Sequence, residues 1–168
     1  MSPVKRVLVL YGGRSAEHEI SVISARAICK ALDPEKYSIV LVGIDRNGCW
    51  QFNGSDISAL NQKVVVEQES CVVHIDVNSG HLVDRAGQFV AGAEFDVVFP
   101  VLHGPYGDDG TLQGLLELAR IPYVGSGVAA SALAMDQRLS RLVFEALGFP
   151  QAAYIAIDHG RWLDQRAV

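Results

Sequence analysis

Two short stretches hold the side chains most able to do chemistry. In "YGGRSAEHEIS", Tyr11 to Ser21, two glycines precede Glu17, His18 and Glu19. In "HGPYGDDGTLQG", His103 to Gly114, a histidine and the pair Asp108–Asp109 sit among four glycines. Glycines let a ligand approach the backbone closely, and Glu17 could then hold a cation such as an ammonium group. A carboxylate in a helix's first turn is also stabilised by the macrodipole with no ligand at all, so both readings of Glu17 stand. His103 could donate a hydrogen bond to a substrate carboxylate, or be oriented by Asp108. Asp109 could be a helix N-cap. A metal held by His103, Asp108 and Asp109 stays open, although the spacing matches no zinc motif. A loop with this many glycines, an imidazole and two acids carries more than a turn requires.

The elements that must position these loops follow from hydrophobic periodicity. Val4 to Tyr11 and Tyr37 to Ile44 read as buried strands. Between them a helix is expected from about Ala16 to Leu32, capped by Ser15 and stopped by Asp33–Pro34, with Ile20, Ile23, Ala27, Ile28 and Ala31 as its apolar stripe. This is a β-α-β unit with a right-handed crossover, followed by a turn at Asn47–Gly48. Residues 51–93 are less regular: a short helix near Ser55 to Leu60, short strands at Val64–Val66 and Cys71–His74, and a turn at Asn78–Gly80. Phe95 to Leu102 reads as a third buried strand, with pairing ending near Pro100. Helices are expected from Thr111 to Ala119, Ala129 to Ala134 and Gln137 to Leu147, the last closed by Gly148 and Pro150. "IPYVGSG" and "AAYIAI" read as short strands. Alternating strands and helices predict an α/β fold, a Rossmann-like three-layer domain with a mainly parallel sheet. Ligands gather at the carboxyl edge of such sheets, where both Gly-rich loops lie.

Composition narrows the classes. The 168 residues are 49% apolar, enough for one packed domain. A net charge of −5 argues against nucleic acid. No apolar stretch is long enough for a membrane span, and the N-terminus does not read as a signal peptide. Three scattered cysteines without CxxC spacing suggest neither zinc nor disulfides and fit a reducing, cytoplasmic setting. Neither GxGxxG nor GxxxxGK[ST] occurs, so a dinucleotide fold-type site or P-loop is not supported. His74, His81 and His159 read as surface residues, and Trp50 and Trp162 as packing residues.

Taken together, "GGRSAEHEIS", "HGPYGDDGTLQG" and "PYVGSGVAASALAMDQ" resemble, in this order, the D-alanine–D-alanine ligases of bacterial peptidoglycan synthesis, over residues 4–157. The resemblance implies a pre-ATP-grasp fold and a reaction in which ATP, with magnesium, phosphorylates one D-alanine carboxylate before a second D-alanine amine attacks. It matches Glu17 to the glutamate that binds the first D-alanine's ammonium and His103 to the histidine near its carboxylate, with Gly104 and Asp108 in the substrate loop. Three departures stand out. Asp108 replaces a usual glutamate, Gln137 replaces a phosphate-binding lysine, and Arg141 replaces a second lysine. The ATP-grasp pattern with its magnesium acids is absent, so no metal ligand is assigned. The implied organisation is a substrate-side domain over residues 1–150, then the start of an ATP-grasp region or a tail over 151–168. The expectation is that this chain alone is inactive and self-associates, as a homodimer or otherwise. The alternative is a non-catalytic amino-acid-binding or regulatory paralogue.

Overall fold

The computed structural model describes residues 3–66 and 72–157. Strand β1 (Lys5–Gly12) runs between two parallel neighbours, β2 (Tyr37–Ile44) and β6 (Val97–Pro100). Valines and leucines occupy both faces of β1, and Val7 to Leu10 are all buried, as a strand covered on both sides demands. Beyond β2 the sheet continues antiparallel through β3 (Trp50–Phe52), β4 (Val72–Asp76) and β5 (His81–Asp84). The strand order is β5-β4-β3-β2-β1-β6. The parallel core is the one expected. The antiparallel wing arises because the β2–β3 connection is a tight turn, with Asp45 Oδ1 accepting from the N–H groups of Asn47 and Cys49.

Helix α1 (His18–Ala31) covers one face of the sheet, where Val22, Ala25 and Cys29 pack with Val7, Val9, Tyr11 and Leu41. Helix α2 (Thr111–Leu118) covers the other, where Leu112 and Leu116 pack with Leu8, Leu10, Val42 and Ile44. Helices α3 (Val128–Met135) and α4 (Gln137–Ala146) follow.

Several expectations are corrected. The buried stripe of α1 is His18, Ser21, Val22, Ala25 and Cys29, whereas Ile20 and Ile23 are 54% and 63% exposed. Two residues of low hydropathy, His18 and Ser21, lie inward because the strand ends offer them hydrogen-bond partners. Ser15 is not the N-cap; Glu17 is, although the Ser15 hydroxyl accepts from its N–H at 3.1 Å. The short helix falls at Ile57–Asn61 as a 3₁₀ turn. Val64–Val66 form no strand, since the Val65 N–H is taken by a side chain, at 3.1 Å from His18 Nε2. "IPYVGSG" makes a single bridge, Tyr123 to Val98, and residues 152–157 pair with no strand. Helix α4 has the expected period, closed by Gly148 at φ 76°, but buries none of its residues. Its Leu139 and Leu142, and Leu147 at its C-cap, face outward. His74 and His81 are on the surface as expected, and Trp50 packs on the core. Cys71, His159 and Trp162 lie outside the described residues.

Candidate ligand crevice at the β1–β6 switch point

The chain leaves β1 toward α1 on one face and leaves β6 toward α2 on the other. Adjacent parallel strands whose helices depart to opposite faces leave a crevice at their carboxyl ends. Both Gly-rich loops line that opening. Gly12 and Gly13 have φ of 90° and 96°, a region open to glycine and costly for other residues. At Gly12 a Cβ would also run into the Ile44 carbonyl oxygen and come within 3.0 Å of His18 Cε1.

Three side chains, one at the N-cap of α1 and two on the helix, form a seam with the segment after β6. Glu17, Ser21 and Ser24, at i, i+4 and i+7, share one face of the helix. The Glu17 carboxylate lies beside Gly104, close enough that a Cβ there would be 3.0 Å from Oε2. Ser21 Oγ donates to the Val101 carbonyl and accepts from the Gly12 N–H at 2.7 Å, tying the ends of β1 and β6 to the helix. Ser24 Oγ pairs with His103 Nε2 at 3.2 Å. Glu17 and His103 thus lie along one seam, brought together from positions 86 apart in sequence. Glu17 is exposed and His103 half-buried, which leaves both accessible to a ligand. They do not share a closed chamber: a cavity of about 200 Å³ lined by His103 lies on the α2 side, and Glu17 does not line it.

Asp108 does not orient His103. Its Oδ2 accepts from the Gly104 N–H at 2.9 Å, closing the loop on itself. Asp109 is not the N-cap of α2; that residue is Gly110, at φ 91°. Asp109 instead accepts from the Tyr106 N–H at 2.8 Å and from the N–H and hydroxyl of Thr111 at 3.0 and 2.6 Å. Burial alone would raise its pKa, but these donors outweigh burial and hold the carboxyl below the ordinary value. Both aspartates are therefore engaged in shaping the loop. No group of three or more His, Cys, Asp and Glu side chains converges on a common point among the described residues.

His18 is the crevice residue that sequence reasoning passed over. It is fully buried, with Nδ1 2.7 Å from the Gly13 carbonyl oxygen and Nε2 3.1 Å from the Val65 nitrogen. A carbonyl can only accept and an N–H can only donate, so Nδ1 carries the proton and Nε2 is bare. The ring braces the β1–α1 loop from beneath. The signal for it was a polar residue at helical spacing with Val22, Ala25 and Cys29.

Gln137 stands far from this seam in sequence and begins α4. With Asp136, Arg138, Arg141 and Tyr154–Ile157 it lines a separate, open cavity of about 670 Å³. The Arg141 guanidinium lies 4.7 Å from the centre of the Tyr154 ring.

Glu17 and His103 at the carboxyl edge of the parallel strands belong to an α/β domain, and that class is defined by its architecture. Comparison with known proteins narrows it. Residues 6–126 match the family described as D-ala D-ala ligase N-terminus, and the chain belongs to that family. It is 45% identical over 153 residues to a D-alanine–D-alanine ligase of Corynebacterium aurimucosum, covering 88% of this chain and 42% of the relative. It is 44% identical over 167 residues to the enzyme of the same name from Mycobacterium leprae, covering 90% and 43%. Among solved structures, VanG D-Ala:D-Ser ligase from Enterococcus faecalis aligns with TM-score 0.80 at 29% identity, covering 98% of this chain and 48% of that one. The ligase from Coxiella burnetii aligns with TM-score 0.75 at 32% identity, covering 97% and 49%. The chain spans about half the length of the proteins it matches. No helix among the described residues is long and apolar enough to cross a membrane.

Proposed function

We infer that this chain is the substrate-side, N-terminal part of an ATP-dependent D-alanine–D-alanine ligase of peptidoglycan synthesis, working in the cytoplasm. The observation that carries this reading is the seam, where an acid and an imidazole face the same edge of a parallel sheet. A zwitterionic amino acid needs both an anion for its ammonium and a donor for its carboxylate. Glu17 takes the ammonium of the first D-alanine. His103, held by Ser24, donates to its carboxylate, and the backbone at Gly104 lets the substrate lie close. Asp108 keeps Gly104 in place through its N–H.

ATP would supply the phosphoryl group that activates the D-alanine carboxylate, and magnesium would neutralise the phosphate charge. The described residues offer no magnesium cluster. They do fit one wall of a nucleotide site, where Gln137, Arg138 and Arg141 surround the larger cavity. Residues 1–150 are the substrate-side domain and 151–168 lead into the nucleotide-binding region. With half of the site, this chain alone is not competent for ligation. The uncovered leucines of α4 support self-association, which sedimentation at rising concentration would show as a shift from monomer to dimer.

Calorimetric titration of D-alanine into the chain tests the crevice. Binding by the parent, lost at least tenfold in Glu17→Gln and retained in a Glu19→Gln control, is the expected result. Equal binding by the parent and Glu17→Gln would overturn the assignment. ADP release from ATP that depends on D-alanine, catalysed by this chain alone, would overturn its incompetence. Gln137 and Arg141, in place of the lysines, favour a second reading, an amino-acid-binding paralogue without ligation. Binding of D-alanine without ligation by the longest natural form of the protein would select it.

A further inference from the structure

The cavity on the α2 side touches the reading above only at His103, which lines its edge, and Glu17 has no part in it. It holds about 200 Å³, walled by Ile44, Trp50, Leu102, Leu112 and Leu115, so its interior is apolar. A dry cavity of about 150 Å³ is large enough to admit benzene. Its roof is a single cation. The Arg14 stem lies against Gly48, where a Cβ would be 2.9 Å from Arg14 Cδ, and its guanidinium sits 4.8 Å from the centre of the Tyr106 ring. Tyr106 is held at φ 68°, uncommon for a residue with a side chain, with its N–H on Asp109. Arg14 thereby joins the loops after β1, β2 and β6, with no carboxylate ion pair among the described residues. No Asp or Glu lines the cavity, and the one imidazole that does, His103, is paired with Ser24.

The geometry points to a second ligand site, for a small monocarboxylate with one aryl or branched-alkyl group: the apolar body fills the cavity beneath Tyr106 and the carboxylate meets the Arg14 guanidinium at the rim. Guanidinium–carboxylate pairing is charge-assisted and suits this planar fork. The same site disfavours free amino acids, because a bound ammonium would find no acid. That separates it in chemistry from the Glu17 crevice, which holds one.

Trp50 is the natural reporter, in a chain carrying Trp162→Phe so that it alone fluoresces. Phenylacetate, the neutral phenylacetamide and zwitterionic D-phenylalanine are titrated in turn, with the Gly48 and Leu112 amides followed by NMR. Phenylacetate is expected to bind saturably and about tenfold more tightly than either analogue. Arg14→Gln should bring the acid down to the level of the amide, while Glu17→Gln leaves it unchanged. Arg14 is exposed, and NMR amide positions outside the three loops that match the parent's show that Arg14→Gln keeps the fold. Absence of saturable binding by phenylacetate, an amide that binds as well as the acid, or an acid preference that survives Arg14→Gln would overturn the proposal.

Discussion

His18→Leu tests whether the crevice is braced from below. Leucine fills much of the imidazole's space but removes both hydrogen bonds, to the Gly13 carbonyl and from the Val65 N–H. Gly13 is buried, so its carbonyl loses a partner without gaining water, at about 1–3 kcal/mol. Val65 is half-buried and its N–H can partly rehydrate, adding about 1 kcal/mol. The sum, about 2–4 kcal/mol, is a large share of the roughly 5–15 kcal/mol that holds a domain folded. For a chain of this size it corresponds to a fall in Tm of roughly 10 °C. Urea titration followed by circular dichroism measures the loss, and hydrogen exchange at the Val65 amide should quicken beyond the global change. Ile23→Gln is the control, because that side chain is 63% exposed and its loss should stay within about 0.5 kcal/mol. A His18→Leu loss no larger than the control's would refute the bracing argument.

Gly12→Ala should destabilise by more than the roughly 1–2 kcal/mol of a left-handed backbone, because the new methyl also meets the Ile44 carbonyl; thermal unfolding reads this, and a neutral effect would contradict the φ of 90°. Asp109 titrates below its ordinary 3.8, so its stabilisation is complete above that value and drains as pH falls through the lower folded value. Asp109→Asn should therefore flatten the stability profile below about pH 4, and an unchanged profile would count against the loop hydrogen bonds. Burial pushes the Cys29 thiol from 9.0 up to about 11, so in a Cys71→Ser chain iodoacetamide at mildly alkaline pH should label Cys49 well before Cys29, as peptide mass spectrometry would show. Because the neutral thiol is the form that folding favours, its contribution is intact below pH 9.0 and lost as pH rises toward 11.

The sequence by itself determined the parallel core and the two loops. Val7 to Leu10 and Val40 to Val42 are apolar on both faces, which suits a strand covered on both sides, and Pro100 ends β6 where a missing N–H must. Glycines, an imidazole and acids crowded after such strands then mark the carboxyl edge. What tertiary structure decided was orientation. The isoleucines of α1 fit a helical stripe as well as its true buried face does, and periodicity cannot tell which stripe meets the sheet. That choice went to Ser21 and His18 because Gly12, Gly13, Val65 and Val101 present backbone groups that need partners. The same holds for Asp108 and Asp109, whose partners come from the folded path of their own loop, and for Arg14, Gly48 and Tyr106, which three separate loops bring to one point. Local pattern sets what each segment becomes; a hydrogen bond or a stacked ring between distant segments exists only once the chain has closed on itself.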